Sequence, residues 1–276
     1  ATATHHSGVG GAGSDKRGNV VEIVRISRGT SMHTTKEQTH EKPLGSRAYG
    51  SIPHLPGSRR GPADKGLSER QASILTEKGR DRHDIITVQE KLDGSCVCVA
   101  KLNGQIVALI RAGYLASDSP YTQHHAFMVW VEDNRERFST LLTEGERCCG
   151  EWLMEAHGTL YNLPHEPLVV FDIMREHDRT LAAVVKERCD QVYLIVPRVI
   201  HIGTPIGIEA VLGMLEPSGH GAIDGVEGAV WRVERKGVVD FLGKYVRPDK
   251  VDGKYLENVS GKPPIYNWQP QRIAHG

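Results

Sequence analysis

Lys91 stands in the run Glu90-Lys91-Leu92-Asp93-Gly94, a lysine with a carboxylate on either side of it. A lysine amine becomes a nucleophile only after its ammonium loses a proton, which desolvation or a nearby cation promotes. The sequence offers such a cation. Asn103-Gly104 lies between two alternating, β-rich segments, Ser95 to Leu102 and Gln105 to Ala112. That dipeptide in that setting signals a two-residue hairpin turn. The turn pairs Leu102 with Gln105 and, counting back, Cys96 with Arg111. Lys91 leaves the preceding strand, Ile85 to Glu90, just before Cys96. Lys91, Asp93 and Arg111 are therefore expected on one rim of a sheet. Gly94 allows close backbone approach there. These few residues alone leave the alternative of a surface lysine in a turn.

Other residues ask for partners. Glu151 is flanked by Trp152 and Leu153, and Asp172 by Phe171 and Ile173. A carboxylate in an apolar strand must be matched by a donor or a cation. Phe171 reads either as core or as an exposed face. His124, His125 and His157 are expected in surface or loop roles, because no third ligand stands at metal spacing. The five cysteines, Cys96, Cys98, Cys148, Cys149 and Cys189, include no CxxC pair and are expected as reduced, mostly buried thiols. No apolar run approaches the roughly 20 residues of a membrane span, and no signal pattern opens the chain. A cytoplasmic setting is expected.

The positioning elements follow from periodicity. Residues 1–18 read as disordered, Asn19 to Ser27 as a short β-like run, and Lys42 to Gly66 as an ordered but irregular loop. Ser68 caps a helix reaching Lys78. A second helix is expected from Ser119-Pro120 to near Gly145, broken around Arg137. Strands are expected at Arg147 to Glu155, Leu168 to Met174 and Val192 to Val199. Helices are expected at Arg179 to Cys189 and Ile208 to Leu215. A last hairpin, Gly228 to Glu234 and Val238 to Val246, turns at Lys236-Gly237. Hairpins without βαβ alternation imply an α+β fold with antiparallel sheets. Charge is uneven. Residues 1–90 carry 14 Lys+Arg against 10 Asp+Glu, residues 91–226 carry 11 against 18, and residues 227–276 carry 9 against 6. Basic ends around an acidic middle suit phosphate contacts around a metal-binding centre, although charges of this size are more often simply a solvated surface.

Lys91-Leu92-Asp93-Gly94 resembles the KxDG nucleophile motif of the covalent nucleotidyltransferases: DNA ligases, RNA ligases and mRNA capping enzymes. Arg111 with Gly113, Gly150-Glu151, Phe171-Asp172-Ile173, Glu227-Gly228-Ala229-Val230 and Leu242-Gly243-Lys244 resemble the later motifs, in order. The resemblance covers residues 45 to 256. It implies two antiparallel sheets flanked by helices around a nucleotide cleft, ATP-grasp-like in outline. The roughly 30 residues after Lys244 are too few for an OB barrel, so no OB domain is expected. Residues 1–45 are then a mostly disordered extension, 46–256 the nucleotidyltransferase domain and 257–276 a short tail. Among relatives, the chain most resembles the RNA ligases that seal nicks. The stretch from Tyr49 to Arg59 is similar to the N-terminal segment of bacterial and viral members.

The resemblance implies a role for each matching residue. Lys91 would take AMP from ATP as a phosphoramidate. Glu90 would read the adenine edge and Phe171 stack on its face. Asp93 and Gly94 would shape the nucleotide site. Glu151 would bond the ribose, and Glu227 would hold Mg²⁺ or Mn²⁺. Lys244 and Arg111 would offset phosphate charge. The AMP would pass to a 5′-phosphate RNA end, in a nicked duplex, to be displaced by a 3′-hydroxyl. Arg59, Arg60 and Lys65 would grip substrate. The last motif holds Leu242 and Val246 where K-x-K is usual, so Arg247 or Lys250 is expected to supply the second charge. Cys96 replaces a frequent Asn and lacks its amide donors. A monomer is expected. A minimal DNA ligase and an inactive ligase-like protein binding nucleotides or RNA ends are the alternative readings.

Overall fold

The computed structural model describes residues 41–269. The expected disorder of residues 1–18, the run Asn19 to Ser27 and most of the extension expected over residues 1–45 lie outside them. In chain order the elements are α1 (Glu69–Thr76), β1 (Asp84–Lys91), β2 (Ser95–Leu102), β3 (Gln105–Ile110), α2 (Thr122–Asp133), α3 (Arg135–Leu141), β4 (Glu146–Trp152), β5 (Leu168–Arg175), β6 (Asp178–Arg179), α4 (Ala182–Gln191), β7 (Val199–Gly203), α5 (Ile208–Leu212), β8 (Gly228–Arg235), β9 (Val238–Val246) and α6 (Glu257–Ser260). They build a four-stranded sheet, β7-β1-β8-β9, and a five-stranded sheet, β3-β2-β4-β5-β6. Every pair of neighbouring strands in both is antiparallel. The protein is α+β, with two antiparallel sheets flanked by helices.

Strand alternation decides what each face does. In β1, Ile86 and Val88 point into a core with Leu75 of α1, Val211 of α5 and Trp231 of β8. Gln89 and Lys91, one residue out of phase, line a cleft instead. In the larger sheet, Val97, Val99, Trp152 and Ile173 pack against Phe127 and Trp130 of α2 and Phe138 of α3. The opposite faces of the two sheets confront each other across the cleft.

Both hairpin turns are two-residue turns with positive φ at each position: Asn103 51° and Gly104 73°, Lys236 51° and Gly237 80°. The resulting register pairs Leu102 with Gln105 and Val97 with Ile110, as the turn requires. Residues 42–66 are irregular, and part of this stretch docks along β9. The Leu55 N–H donates to the Lys244 carbonyl at 2.8 Å and the Lys244 N–H to the Pro53 carbonyl at 3.0 Å.

Three expectations are corrected. The second helix begins at Thr122 and not at Ser119, because the Ser119 hydroxyl is held by His124 Nδ1 at 2.6 Å and does not cap. It breaks at Asn134, not Arg137. Val192 to Arg198 is not a strand. It follows α4 through a turn and touches β5 by one bridge, Val169 to Ile195, and the strand proper is Val199–Gly203. The expected tail also packs back. Trp268 lies 6.1 Å from Trp152, ring to ring, and Asn267 bonds the Leu153 carbonyl at 2.9 Å.

Candidate active site

The cleft between the sheets has a volume of about 560 Å³. Lys91 is the last residue of β1 and pairs with Gly228 of β8. Glu227 precedes Gly228, so its carboxylate meets the Lys91 ammonium, with Oε2 2.5 Å from Nζ. A Cβ on Gly228 would stand 1.9 Å from the Tyr245 carbonyl oxygen, so only glycine lets β8 and β9 close at this point. Gly94 is required for the same reason, since a Cβ there would meet the Trp152 carbonyl at 2.5 Å. The Gly94 N–H donates to Glu151 Oε1 at 3.0 Å, bringing a second carboxylate under the lysine loop. Asp93 is the third. Thr159 Oγ1 donates to its Oδ2 at 3.1 Å, and the Tyr161 hydroxyl lies 3.0 Å from its N–H.

These carboxylates reverse the expected electrostatics of Lys91. Burial pushes its ammonium towards deprotonation, but Glu227, Glu151 and Asp93 outweigh that and hold it well above the usual lysine range. Arg111 is not the cation that activates it. Its guanidinium turns to Ser51 Oγ at 2.8 Å, at the cleft mouth. Burial pushes the Glu151 carboxyl up to about 7 and the Glu227 carboxyl up to about 7, against the pull of Lys91. The floor thus combines one ammonium with carboxyl groups that burial makes poor at carrying full negative charge. Additional positive charge suits it. Lys244 faces the same cleft from β9, and burial and Lys91 hold its ammonium below the usual range.

The other wall is aromatic. Phe171 of β5 and Tyr49 have ring centroids 5.0 Å apart. Behind them lies Asp172, fully buried, which accepts from the Tyr49 hydroxyl at 2.5 Å, Arg232 at 2.5 Å and Arg179 at 3.1 Å. Arg232 belongs to β8, so this network ties one sheet to the other. Asp172 thereby finds the partners its apolar neighbours demanded.

Several expected residues fall elsewhere. Glu90 also borders the cleft, but the alternation of β1 sends its side chain away from that of Lys91. Its carboxylate accepts from Arg198 at 3.0 Å, Ser218 at 2.5 Å and the Gly219 N–H at 2.8 Å, so it does not present a free edge to a base. Lys250 is buried, and its Nζ donates to the carbonyls of Gly225 at 2.6 Å and Asp224 at 3.0 Å. Arg247 pairs with Asp249 at 2.7 Å, and Arg59 with Asp252 at 2.6 Å. None of Arg59, Arg60, Lys65, Arg247 and Lys250 lines the cleft, whereas Arg47 and Arg232 do. Arg47 carried no sequence signal. Arg232 did, as an arginine in an apolar alternating strand. His124 is buried, not superficial, and bonds Ser95 at 2.7 Å, while His157 also lines the cleft. The five thiols are free, and burial pushes those of Cys96, Cys98, Cys148 and Cys189 up.

Among the described residues, no group of three His, Cys, Asp or Glu side chains is arranged to hold a metal unaided. A hard divalent cation held by one or two carboxylates and substrate phosphates needs no such group. No helix among them is long and apolar enough to cross a membrane.

Residues 84–246 match the model of the RNA ligase family. No curated protein matches the chain. Among solved structures, an archaeal ATP-dependent RNA ligase (form 2) aligns with TM-score 0.44 and 20% identity over 72% of this chain and 48% of that one. A variant of Naegleria gruberi RNA ligase with ATP and Mn aligns with TM-score 0.47 and 17% identity over 76% of this chain and 61% of that one. The chain thus spans about half the archaeal protein and less than two thirds of the Naegleria one.

Proposed function

The chain belongs to the RNA ligase family, and from that premise we propose that it is an ATP-dependent RNA ligase working through an AMP held covalently on Lys91. The observation that carries the proposal is the Lys91–Glu227 contact of 2.5 Å on the floor of a cleft walled by Phe171 and Tyr49. A nucleophile, a proton acceptor and an aromatic platform stand in one nucleotide-sized space.

Lys91 Nζ gives its proton to Glu227, already its hydrogen-bond partner, and its lone pair forms a bond to the α-phosphorus of ATP. The bond from that phosphorus to the bridging oxygen of the β-phosphate breaks, and pyrophosphate leaves with the electron pair. Arg111, Arg47 and Lys244 at the cleft offset the charge that collects on the phosphate oxygens. Glu227 and Glu151 would hold Mg²⁺ or Mn²⁺, which when bound supplies positive charge where buried carboxylates crowd Lys91. Glu151 is also placed for the ribose, and Phe171 for one face of the base. A 5′-phosphate oxygen of an RNA end then takes the AMP from Lys91, and a 3′-hydroxyl displaces it, joining the strand. A nicked duplex and a monomeric enzyme, with residues 46–256 as its nucleotidyltransferase domain, complete the reading.

The test is direct. Incubation with Mg²⁺ and ATP labelled on the α-phosphate should leave label on the denatured chain, and Lys91→Ala should abolish it. An unlabelled wild type, or label that survives Lys91→Ala, refutes the proposal.

A further inference from the structure

Beyond the groups that meet ATP, one wall of the cleft beside Lys91 is left over: Asp93, Ser95, His124 and His157. Its two imidazoles differ. His124 is spent, with Nε2 2.7 Å from the Ser95 hydroxyl and Nδ1 2.6 Å from that of Ser119. His157 has a nitrogen to spare. Its Nε2 meets the side-chain amide of Gln123, 3.2 Å from the amide nitrogen and 3.3 Å from the amide oxygen, and no described residue bonds its Nδ1. An amide that offers one ring nitrogen both a donor and an acceptor fits either tautomer of the ring. With Nε2–H donating to Gln123 Oε1, the lone pair sits on Nδ1. The backbone here is fixed. The Tyr255 N–H donates to the His157 carbonyl at 2.8 Å. A Cβ on Gly158 would lie 2.6 Å from Asp93 Oδ2, so the chain after His157 packs directly on that carboxylate. Burial holds the His157 imidazole below the usual histidine range, which leaves it neutral near pH 7, while Asp93 pulls the other way and favours the imidazolium.

We propose that His157 takes the proton of the attacking 3′-hydroxyl in the sealing step. The proposal rests on the ligase reading of the cleft. The acceptor strand must reach the 5′-phosphate from a side that AMP does not fill, and the wall of His157 is the side left over. The 3′-oxygen forms its bond to the phosphorus of the 5′-phosphate. The bond from that phosphorus to the oxygen bridging it to AMP breaks, AMP leaves with the electron pair, and the hydroxyl proton goes to His157 Nδ1. The other acceptors nearby are engaged. Once AMP has left Lys91, Glu227 again faces the ammonium at 2.5 Å. Asp93 Oδ2 accepts from Thr159 at 3.1 Å, and the charge of this carboxylate stabilises the imidazolium that forms beside it.

The experiment separates the steps, using the full chain as wild type, His157→Gln and His157→Ala. One assay follows labelling of the chain by ATP carrying label on the α-phosphate. The other follows single-turnover sealing, without ATP, of a nicked RNA duplex whose 5′ end already carries AMP. Each variant supplies its own ratio of sealing rate to labelling rate, and thermal unfolding confirms that it is folded. The ratio is expected to fall by about 100- to 10,000-fold in both variants. Imidazole added to the buffer should restore part of the sealing by His157→Ala and leave the wild type unchanged. A folded His157→Gln chain whose ratio stays within twofold of wild type overturns the assignment, as does a parallel loss of both steps that imidazole does not rescue. Either result, with a wild type that takes label, removes His157 alone. A wild type that neither takes label nor seals refutes the ligase reading, and this proposal with it.

Discussion

Asp172→Asn tests whether the tie between the two sheets is electrostatic. Asp172 is 0% exposed and Arg232 2% exposed, and their contact is 2.5 Å. The amide keeps an acceptor for the Tyr49 hydroxyl but removes the negative charge. The Arg232 guanidinium is then stranded in the interior, and breaking a buried pair in this way costs about 3–5 kcal/mol. Arg179 adds under about 1 kcal/mol, because solvent reaches it and screens its charge. At a urea slope of about 3 kcal/mol per M, the unfolding midpoint falls by about 1–1.7 M. Equilibrium urea unfolding followed by tryptophan fluorescence and far-UV circular dichroism reads the shift. Adding Arg232→Met removes the stranded cation and should restore most of the loss, since an apolar pair of similar volume is often as stable. A loss below about 1 kcal/mol for Asp172→Asn, or a double variant whose losses simply add, would show that the network is not held by charge.

Two pH effects oppose each other, so each is read as a difference between a variant and the wild type. The Glu151 carboxyl, raised by burial from 4.5 to about 7, binds its proton more tightly in the folded state. Stability from that proton is present below pH 4.5 and is lost as pH rises through 7, by on the order of 3 kcal/mol. Glu151→Gln mimics the protonated form, so its melting temperature relative to wild type should climb from pH 5 to pH 8 without metal. A flat difference would count against the burial argument. His124 behaves in the reverse sense. Burial, with His157 and His125, lowers it to about 4 from 6.5, so its contribution is present above pH 6.5 and lost as pH falls through 4. Circular dichroism melts of His124→Gln should therefore gain on the wild type between pH 6.5 and pH 4, and parallel curves would contradict this.

Local chemistry in the sequence carried much of the frame. Asn103-Gly104 determined a register, because two positive φ angles in succession admit only one kind of tight turn and strand pairing then counts outward from it. The same holds for Lys236-Gly237, although lysine in that conformation is less plain to read. Ser68 with Gln71 forms a reciprocal cap at α1, a signal contained within four residues. The glycines after Lys91 and Glu227 were legible as motif letters, and the structure shows that each exists to admit a carbonyl where a Cβ would not fit.

What the sequence left open depends on which face meets which. Glu90 and Gln89 are adjacent and both border the cleft, and only the approach of Arg198, Ser218 and Gly219 decides that the carboxylate of Glu90 is taken up by the protein. Lys250 looked like a free cation, but the folding of residues 222–225 around it turns its ammonium into a donor to two carbonyls. Arg47 enters the cleft because Ala48 and Tyr49 bond the Arg111 carbonyl, a contact between segments over sixty residues apart. The protonation of Lys91 runs opposite to what its neighbours in sequence imply, for the same reason. Spacing along a chain locates a charge on a strand, but a pKa answers to the sum over space, and three carboxylates from separate elements converge on Lys91 only when the two sheets close.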